Sequence, residues 1–234
     1  MKTIHYSSKK TGNIAISTDE NKVKINTERL ELRSSNQNEE HSLIENYTLL
    51  LGDPTNVALF AEGESWNKKK VEELVKSEIQ KWNDGHRFCM FSIHDAKTGQ
   101  FMGSLHIIHA KQDYVNIGSG HENVAEIAYI LDKSFCGKGY GTEIAIIGKK
   151  YIKHIISEGE FNSLESQLQQ IVATVHPLNE GSKKILQKTL KHQEAEELIK
   201  FGGQPRLLFF KPLNVSNPLR DDASLNIGDV FEYT

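Results

Sequence analysis

Cysteines and long apolar runs are scarce in this sequence. Its 234 residues include two cysteines, Cys89 and Cys136, which are too few for a disulfide framework, so a reducing environment is expected. No uninterrupted apolar stretch approaches the ~20 residues that a membrane helix needs. A disulfide-stapled secreted domain and a membrane-spanning protein are therefore excluded as interpretations, and no membrane partner is expected.

The sequence also lacks the excess of positive charge that marks nucleic-acid-binding proteins. Its formal net charge is -3 and its pI is about 6.4, so it carries no electrostatic footprint for nucleic acid. The short lysine run at 68–70 lies in a helical pattern with Glu72 and Glu73, which is typical of a solvated helix face. Nucleic acid is therefore not an expected partner.

The first residues of the chain do not resemble a secretory signal. Residues 1–16 contain no apolar core of the kind that signal peptides require. Cytoplasm is the default location, although a bacterial protein delivered elsewhere by a non-standard route would have the same composition. The 25% charged and 38% hydrophobic residues are ordinary for a soluble globular protein.

Hydrophobic periodicity predicts alternating strands and helices. Strands are expected at 27–33, 88–93, 101–108, 124–131, 170–175, 196–201 and 206–211, with a possible hairpin between 14–16 and 23–25. Helices are expected at 39–51, at 67–82, from Glu143 onward, and from Asn179 to about residue 191. The pattern indicates one mixed α/β domain at 27–213, an N-terminal extension at 1–26 and a polar tail at 214–234.

A glycine-rich stretch, FCGKGYGTE at 135–143, follows one predicted strand and precedes a predicted helix. Glycine costs stability unless the backbone needs a positive φ or a close approach. The Walker A pattern and the dinucleotide pattern are both absent, because Lys138 lies between evenly spaced glycines. A loop before a helix nevertheless offers free N–H groups and the positive end of the helix dipole. The residues alone leave open a phosphate cradle and a plain turn.

Four segments between residues 27 and 211 resemble the GNAT acetyltransferase superfamily, most closely the branch that acetylates ribosomal-protein N-termini. They are TERLELR at 27–33, TGQFMGSLHI at 98–107, AEIAYILDKSFCGKGYGTE at 125–143 and HPLNEGSKKILQK at 176–188. The resemblance implies a central twisted mixed sheet, split after its fourth strand and flanked by helices. It also implies an acetyl-CoA-dependent N-acetyltransferase acting on a primary amine, either a protein N-terminus or a small molecule.

The resemblance further implies which residues bind acetyl-CoA. They are Ile127, Tyr129, Ile130, Leu131, Phe135, Cys136, Gly137, Lys138, Gly139, Tyr140, Gly141, Thr142 and Asn179. Backbone N–H groups of the glycine-rich stretch are expected to bind the CoA pyrophosphate, with added charge from Lys138. Cys136 stands where the family often has Gln or Arg, a departure of little weight because the main contacts come from the backbone.

Glu126 and Ser182 are the candidate catalytic residues. Glu126 interrupts an apolar strand, where a carboxylate needs a partner; the resemblance implies a general base, and a structural ion pair is the alternative. Ser182 is either a solvated helix serine or, by resemblance, the group that protonates the CoA thiolate. Asn179 is expected to cap a helix as well as contact the pantetheine arm. Tyr129 points to the face opposite Glu126 and is expected in the core.

Other reactive side chains carry no expected chemistry. His106 and His109 lie three residues apart in a strand and therefore point to opposite faces, so no metal site is expected. Cys136 lies near a helix N-terminus, where a thiol pKa can fall. No His or Asp motif surrounds it, so a nucleophilic cysteine is not expected.

The acceptor side of the site departs from the family. Residues 189–192 read TLKH where the family has a Gly-Phe pair. A non-catalytic CoA-binding sensor or scaffold with a degenerate acceptor site is therefore the alternative function. The acceptor pocket is expected between the helices 39–51 and 67–82, the loop 111–122 and the hairpin 196–211. Either a monomer or a homodimer fits the sequence.

Overall fold

The computed structural model describes residues 1–110, 123–159, 168–190 and 196–213, and its centre is one sheet of ten strands. The strands are β1 Lys2–Ser8, β2 Gly12–Asp19, β3 Lys22–Asn26, β4 Leu30–Ser34, β5 Met90–Asp95, β6 Phe101–His109, β7 Val124–Leu131, β8 Gln170–Val175, β9 Glu196–Lys200 and β10 Gln204–Pro212. Their order in the sheet is β1-β2-β3-β4-β5-β6-β7-β8-β10-β9. The β7–β8 pair is parallel and the other described pairs are antiparallel, so the sheet is mixed, as predicted.

Helices cover both faces of the sheet. They are α1 Glu40–Gly52, α2 Pro54–Val57, α3 Lys68–Asn83, α4 Tyr140–Ser157 and α5 Glu180–Leu190. The apolar stripe predicted for α4 is buried in the largest core cluster, which includes Ile144, Ile147 and Tyr151. Helices α1 and α3 pack together in a second cluster around Tyr47 and Val75. A helix with one apolar stripe buries that stripe against a sheet face, which gives this layered arrangement.

Two predicted boundaries were wrong by about three residues. The strand predicted at 27–33 begins only at Leu30, because the Thr27 hydroxyl accepts hydrogen bonds from the amides of Arg29 at 3.3 Å and Leu30 at 3.0 Å. Such side-chain bonds compete with strand pairing and form a turn. Helix α4 begins at Tyr140 instead of Glu143, because Gly139 adopts a left-handed conformation immediately before it.

The N-terminal residues extend the same sheet. The predicted hairpin is present as β2 and β3, and Ile25 of β3 lies opposite Leu32 of β4. Strand β1 contacts the far end of α4, where the Tyr6 hydroxyl lies 3.0 Å from His154 Nδ1. The predicted N-terminal extension, residues 1–26, therefore belongs to the same sheet as the strands that follow it.

Strands β7 and β8 diverge after a short parallel ladder. Their last pair is Glu126 with Val172, although β7 continues to Leu131 and β8 to Val175. Counted from β4, the split follows the fourth strand, as the resemblance implies. The gap between the two strands is the feature that positions the site.

Several expectations fall outside the described residues. They are the loop at 111–122, the last two residues of the altered segment at 191–192, and the tail at 214–234. Within the ranges that the structure describes, no helix is long and apolar enough to cross a membrane.

Candidate active site

The glycine-rich stretch joins β7 to α4 and has two different kinds of glycine. Gly137 has φ 75° and Gly139 has φ 84°, a conformation that other residues adopt at a cost. Gly141 lies inside the helix without a positive φ, and a Cβ atom there would lie 2.9 Å from Ile185 Cδ1. Two glycines therefore set the backbone, and the third permits α4 and α5 to pack closely.

The loop ends at the N-terminus of an 18-residue helix. Tyr140, Gly141 and Thr142, which the sequence placed in a loop, form the first turn of α4. The first N–H groups of a helix have no acceptor within the helix and carry its positive end charge. A Cβ atom on Gly137 would meet nothing within 4 Å, so the backbone there is accessible. The segment has the features of an anion site.

The side chains of the loop are held by local contacts. Asp132 accepts a hydrogen bond from the Ser134 amide at 2.9 Å, and the Ser134 hydroxyl lowers the pKa of that carboxyl. Lys138 Nζ donates to the Ser134 carbonyl at 2.9 Å and lies 5.8 Å from the centre of the Phe135 ring. The ammonium of Lys138 therefore stays beside the loop backbone, where it adds positive charge.

Cys136 is exposed in this loop but is not activated. Burial of its sulfur and the carboxylate of Asp132 both raise the pKa of the thiol. A raised pKa lowers the thiolate fraction, and the thiolate is the reactive form. This environment disfavours the thiolate, and the absence of a nucleophilic role for Cys136 stays a prediction.

Asn179, Ser182 and Tyr129 form a connected group where α5 meets β7. Asn179 Oδ1 accepts a hydrogen bond from the Ser182 amide at 3.0 Å, which is the predicted helix cap. The Ser182 hydroxyl lies 3.0 Å from the Tyr129 hydroxyl, and either oxygen can donate. Burial raises the pKa of Tyr129 to about 12, so its phenol is protonated at neutral pH. The Ser182–Tyr129 contact was not predicted from the sequence.

Glu126 lies on the opposite face of β7 in a polar cluster. Only 3% of the residue is exposed. Its Oε2 accepts a hydrogen bond from Lys200 Nζ at 2.7 Å, and its Oε1 accepts one from the Thr174 hydroxyl at 3.2 Å. The sequence left a structural ion pair as the alternative role for Glu126, and the structure identifies Lys200 as the partner in that pair. The role of Glu126 as a base stays a prediction.

Arg206, on β10, lies on the same face of the sheet as Glu126. Its guanidinium donates to the carbonyl of Leu59 at 3.1 Å and to the carbonyl of Ala61, which has φ 44°. Burial lowers the pKa of Arg206, while the carboxylates of Glu126 and Glu62 oppose that shift. The segment between α2 and α3 is thus fixed above the Glu126 cluster.

A cavity of about 260 Å³ opens next to this cluster. It is lined by Pro177, Glu197, Leu198, Ile199, Pro205 and Arg206. Most of this lining comes from the β9–β10 hairpin, one of the four segments expected to frame the acceptor pocket. Arg206 lines this cavity and also lies close enough to Glu126 for that carboxylate to act on its pKa.

The remaining predicted contacts lie along β7. Ile127 and Ile130 are buried, and residues 127–131 pair with β6 on one side only, between Ile107 and Gly103. Their other edge faces the split.

His106 and His109 have different hydrogen-bond partners. His106 Nε2 lies 3.1 Å from the Ser104 hydroxyl, and His109 Nε2 lies 2.9 Å from Asn123 Oδ1. In the described part of the chain, no three metal-binding side chains come together.

The fold that carries this site has known relatives. The family model described as an acetyltransferase (GNAT) domain matches residues 29–189 of the 234. An acetyltransferase from Agrobacterium tumefaciens is similar in structure, with a TM-score of 0.57 and 16% identity, covering 80% of this chain and 92% of that one.

Two further solved structures have named activities. The ribosomal-protein-S5-alanine acetyltransferase from Vibrio fischeri has a TM-score of 0.57 and 14% identity, covering 81% of this chain and 96% of that one. The spermidine N-acetyltransferase from Vibrio cholerae, in complex with CoA and spermine, has a TM-score of 0.54 and 16% identity, covering 78% and 95%. At these identities the likeness establishes the fold.

Proposed function

The chain belongs to the GNAT acetyltransferase family, whose cosubstrate is acetyl-CoA, and from that premise we propose that it transfers the acetyl group to a primary amine. One observation carries the proposal: the sheet splits between β7 and β8 directly beside a helix N-terminus that is preceded by two positive-φ glycines. That arrangement combines an anion site with an opening between neighbouring strands.

The residues present fit the cofactor. Residues 135–142 would hold the pyrophosphate through backbone N–H groups, since Gly137 is open and α4 adds its positive end. The ammonium of Lys138 would add a positive charge beside the pyrophosphate. The pantetheine arm would contact Asn179 and the free edge of residues 127–131. When bound there, acetyl-CoA supplies the acetyl thioester.

Glu126 is the proposed general base. An amine arrives mostly as an ammonium near neutral pH and must lose a proton before it can attack a carbonyl carbon. The contacts from Lys200 and Thr174 fix both carboxylate oxygens of Glu126, so the base is oriented before the acceptor arrives. Glu126 accepts the proton either directly or through a water molecule.

Ser182 is the proposed donor to the departing sulfur. Its hydroxyl gives a proton to the CoA thiolate, and the Tyr129 phenol, which is protonated at neutral pH, supplies the next proton in line. Backbone N–H groups of residues 127–131 polarise the carbonyl oxygen. Much of the rate comes from holding the two reactants in line.

The proposed acceptor is a peptide N-terminus or a small-molecule amine. The fold is shared with enzymes that are named for each class, a ribosomal-protein alanine acetyltransferase and a spermidine acetyltransferase. Glu197 lines the cavity at the β9–β10 hairpin and offers a carboxylate for an ammonium group, whereas Glu126 is paired with Lys200. On the basis of its two cysteines we place the enzyme in a reducing compartment, the cytoplasm, and its proposed state is a monomer or a homodimer.

A CoA-binding sensor is the second candidate, because Glu126 is engaged by Lys200. Thermal stability with each ligand separates the possibilities, combined with thiol release from acetyl-CoA in a panel of amines and N-terminal peptides. Stabilisation by acetyl-CoA and CoA, but not by ATP or NAD, with thiol release for at least one amine, supports the proposed enzyme. Stabilisation without release for any acceptor supports the sensor, and no selective stabilisation contradicts both.

A further inference from the structure

We propose that Arg29 is a positioning residue that fixes the cofactor loop in its binding conformation. This inference rests on the proposed role of residues 135–142 in pyrophosphate binding. Arg29 lies in the turn before β4, far from the loop in sequence but in contact with it in the fold. Nothing in the loop motif itself points to Arg29.

The guanidinium of Arg29 contacts both ends of the segment that carries Gly139. Its Nε donates to Glu143 Oε2 at 2.8 Å, and its Nη2 donates to the same oxygen. Its Nη1 donates to the Lys138 carbonyl at 3.1 Å. The guanidinium carbon also lies 4.5 Å from the centre of the Tyr140 ring. One side chain thus bridges the residue before Gly139 and the first turn of α4.

Glu143 is the buried half of this contact. It is only 4% exposed, and its other carboxylate oxygen accepts a third hydrogen bond, from the Thr27 hydroxyl at 2.6 Å. A carboxylate in the first turn of a helix is favoured by the helix dipole. A buried charge also needs a partner, and Arg29 supplies it, so the contact with Glu143 holds the guanidinium in place.

The function of this contact follows from the glycines. Gly137 and Gly139 give the loop access to conformations that other residues avoid, and this freedom must be lost when an anion binds. A loop that is already fixed loses less entropy on binding and therefore binds more tightly. Arg29 lies directly beside Gly139, since a Cβ atom there would be in ordinary contact with Nη2, 3.7 Å away.

The test compares Arg29→Met with Arg33→Met in full-length enzyme. Arg33 lies on β4 itself, pairs with Glu31 and is 37% exposed, against 42% for the Arg29 side chain, so it is a matched control. Arg29→Met is expected to raise the KM for acetyl-CoA about tenfold, equivalent to about 1.4 kcal/mol, with little change in kcat. Arg33→Met should keep the parental KM.

A truncated donor distinguishes positioning from general damage. S-acetyl-pantetheine lacks the phosphates, so the parent and Arg29→Met should use it equally well. Arg29→Lys keeps the charge and should recover some of the lost affinity, and Thr27→Val removes one hydrogen bond and should give a smaller rise in KM. Equal losses with both donors, or a parental KM for acetyl-CoA in Arg29→Met, would overturn the inference.

Failure of the underlying loop assignment has a different signature. Gly139→Val should raise the KM for acetyl-CoA if residues 135–142 hold the pyrophosphate. If the KM for acetyl-CoA rises in Gly139→Val but not in Arg29→Met, only the proposed role of Arg29 is contradicted. If both variants keep the parental KM for acetyl-CoA, the assignment of residues 135–142 to pyrophosphate binding is contradicted.

Discussion

Lys200 Nζ lies 2.7 Å from Glu126 Oε2, and this ion pair joins the edge strand β9 to the strand that borders the split. Lys200 therefore supplies the ammonium that faces Oε2 of the candidate base. Two roles are proposed for the pair, a structural contact within the fold and orientation of the candidate base. Substitutions that act on these two roles differently give the first prediction.

Glu126→Gln should lower turnover at neutral pH by about 10²–10⁴-fold, the usual loss when a positioned base is removed. The affinity for acetyl-CoA should change little, because the amide keeps the size of the carboxyl. Partial recovery is expected at alkaline pH, where solvent has already deprotonated the acceptor amine. Steady-state kinetics between pH 7 and about 10, with acetyl-CoA binding by calorimetry, measure both effects.

Two companion variants complete this experiment. Glu73→Gln alters an exposed carboxylate on α3 and should behave as the parent. Lys200→Met leaves Glu126 without its ammonium partner and should lower the free energy of unfolding by about 1–3 kcal/mol, below the value for a fully buried pair because Lys200 is partly exposed. Near-parental turnover of Glu126→Gln at every pH would assign Glu126 a structural role.

The second prediction separates the two kinds of glycine. Gly139→Val forces a β-branched residue into a left-handed conformation, which costs at least about 1–2 kcal/mol, and should weaken CoA binding. Gly141→Val should mainly lower the melting temperature, because its side chain meets Ile185. Gly99→Val is the control, since Gly99 has φ 72° in a hairpin outside the cofactor loop. Equal effects of Gly139→Val and Gly99→Val on CoA affinity would contradict the cradle.

The third prediction concerns the hydroxyl pair on α5 and β7. Ser182→Ala should lower turnover by about tenfold, less than Glu126→Gln, because water can replace a hydroxyl donor more easily than an oriented base. Tyr129→Phe should have a similar effect. The double variant should lose little more than either single variant, since the two hydroxyls act as one unit. Strictly additive losses would show that the 3.0 Å contact has no role in turnover.

The fourth prediction is a pH dependence of stability. Burial lowers the pKa of His154 from its ordinary 6.5, so the unfolded chain binds this proton more readily than the folded one. The stability that His154 contributes is therefore present above pH 6.5 and is lost as the pH falls below it. Burial lowers the pKa of His94 and His106 as well, the latter to about 4, so acid should destabilise the fold through all three.

Urea denaturation at pH 7.5 and pH 5.5 measures this effect. His154→Gln should show a smaller loss of stability between the two conditions than the parent does. His41→Gln is the matched control, because the His41 side chain is 89% exposed. A pH dependence that is the same in the parent and His154→Gln would show that His154 does not contribute to it.

The local elements were predictable, and the contacts between them were not. Strands 124–131 and 170–175 were predicted to the residue, because apolar runs between polar segments are a local signal. The Lys200–Glu126 and Arg29–Glu143 pairs join residues 74 and 114 positions apart, and neither leaves a periodic trace in the sequence.

The glycine-rich stretch shows a different limit. Gly137, Gly139 and Gly141 are evenly spaced in the sequence, yet two have a positive φ and the third allows close helix packing. A sequence shows that a side chain is absent, but the backbone angle and the neighbour that explain the absence are properties of the fold. The start of α4 was misplaced for the same reason.

The β7–β8 ladder ends early, so strands β1–β7 and strands β8, β10 and β9 are joined by only three residue pairs, Val124–Gln170, Ala125–Ile171 and Glu126–Val172. In the described strands, the facing edges of residues 127–131 and 173–175 have backbone groups without a strand opposite them. A ligand whose own amides are spaced like a short strand can pair with such an edge. Bound cofactor would then take the place of the missing strand and close the gap in hydrogen bonding between β7 and β8.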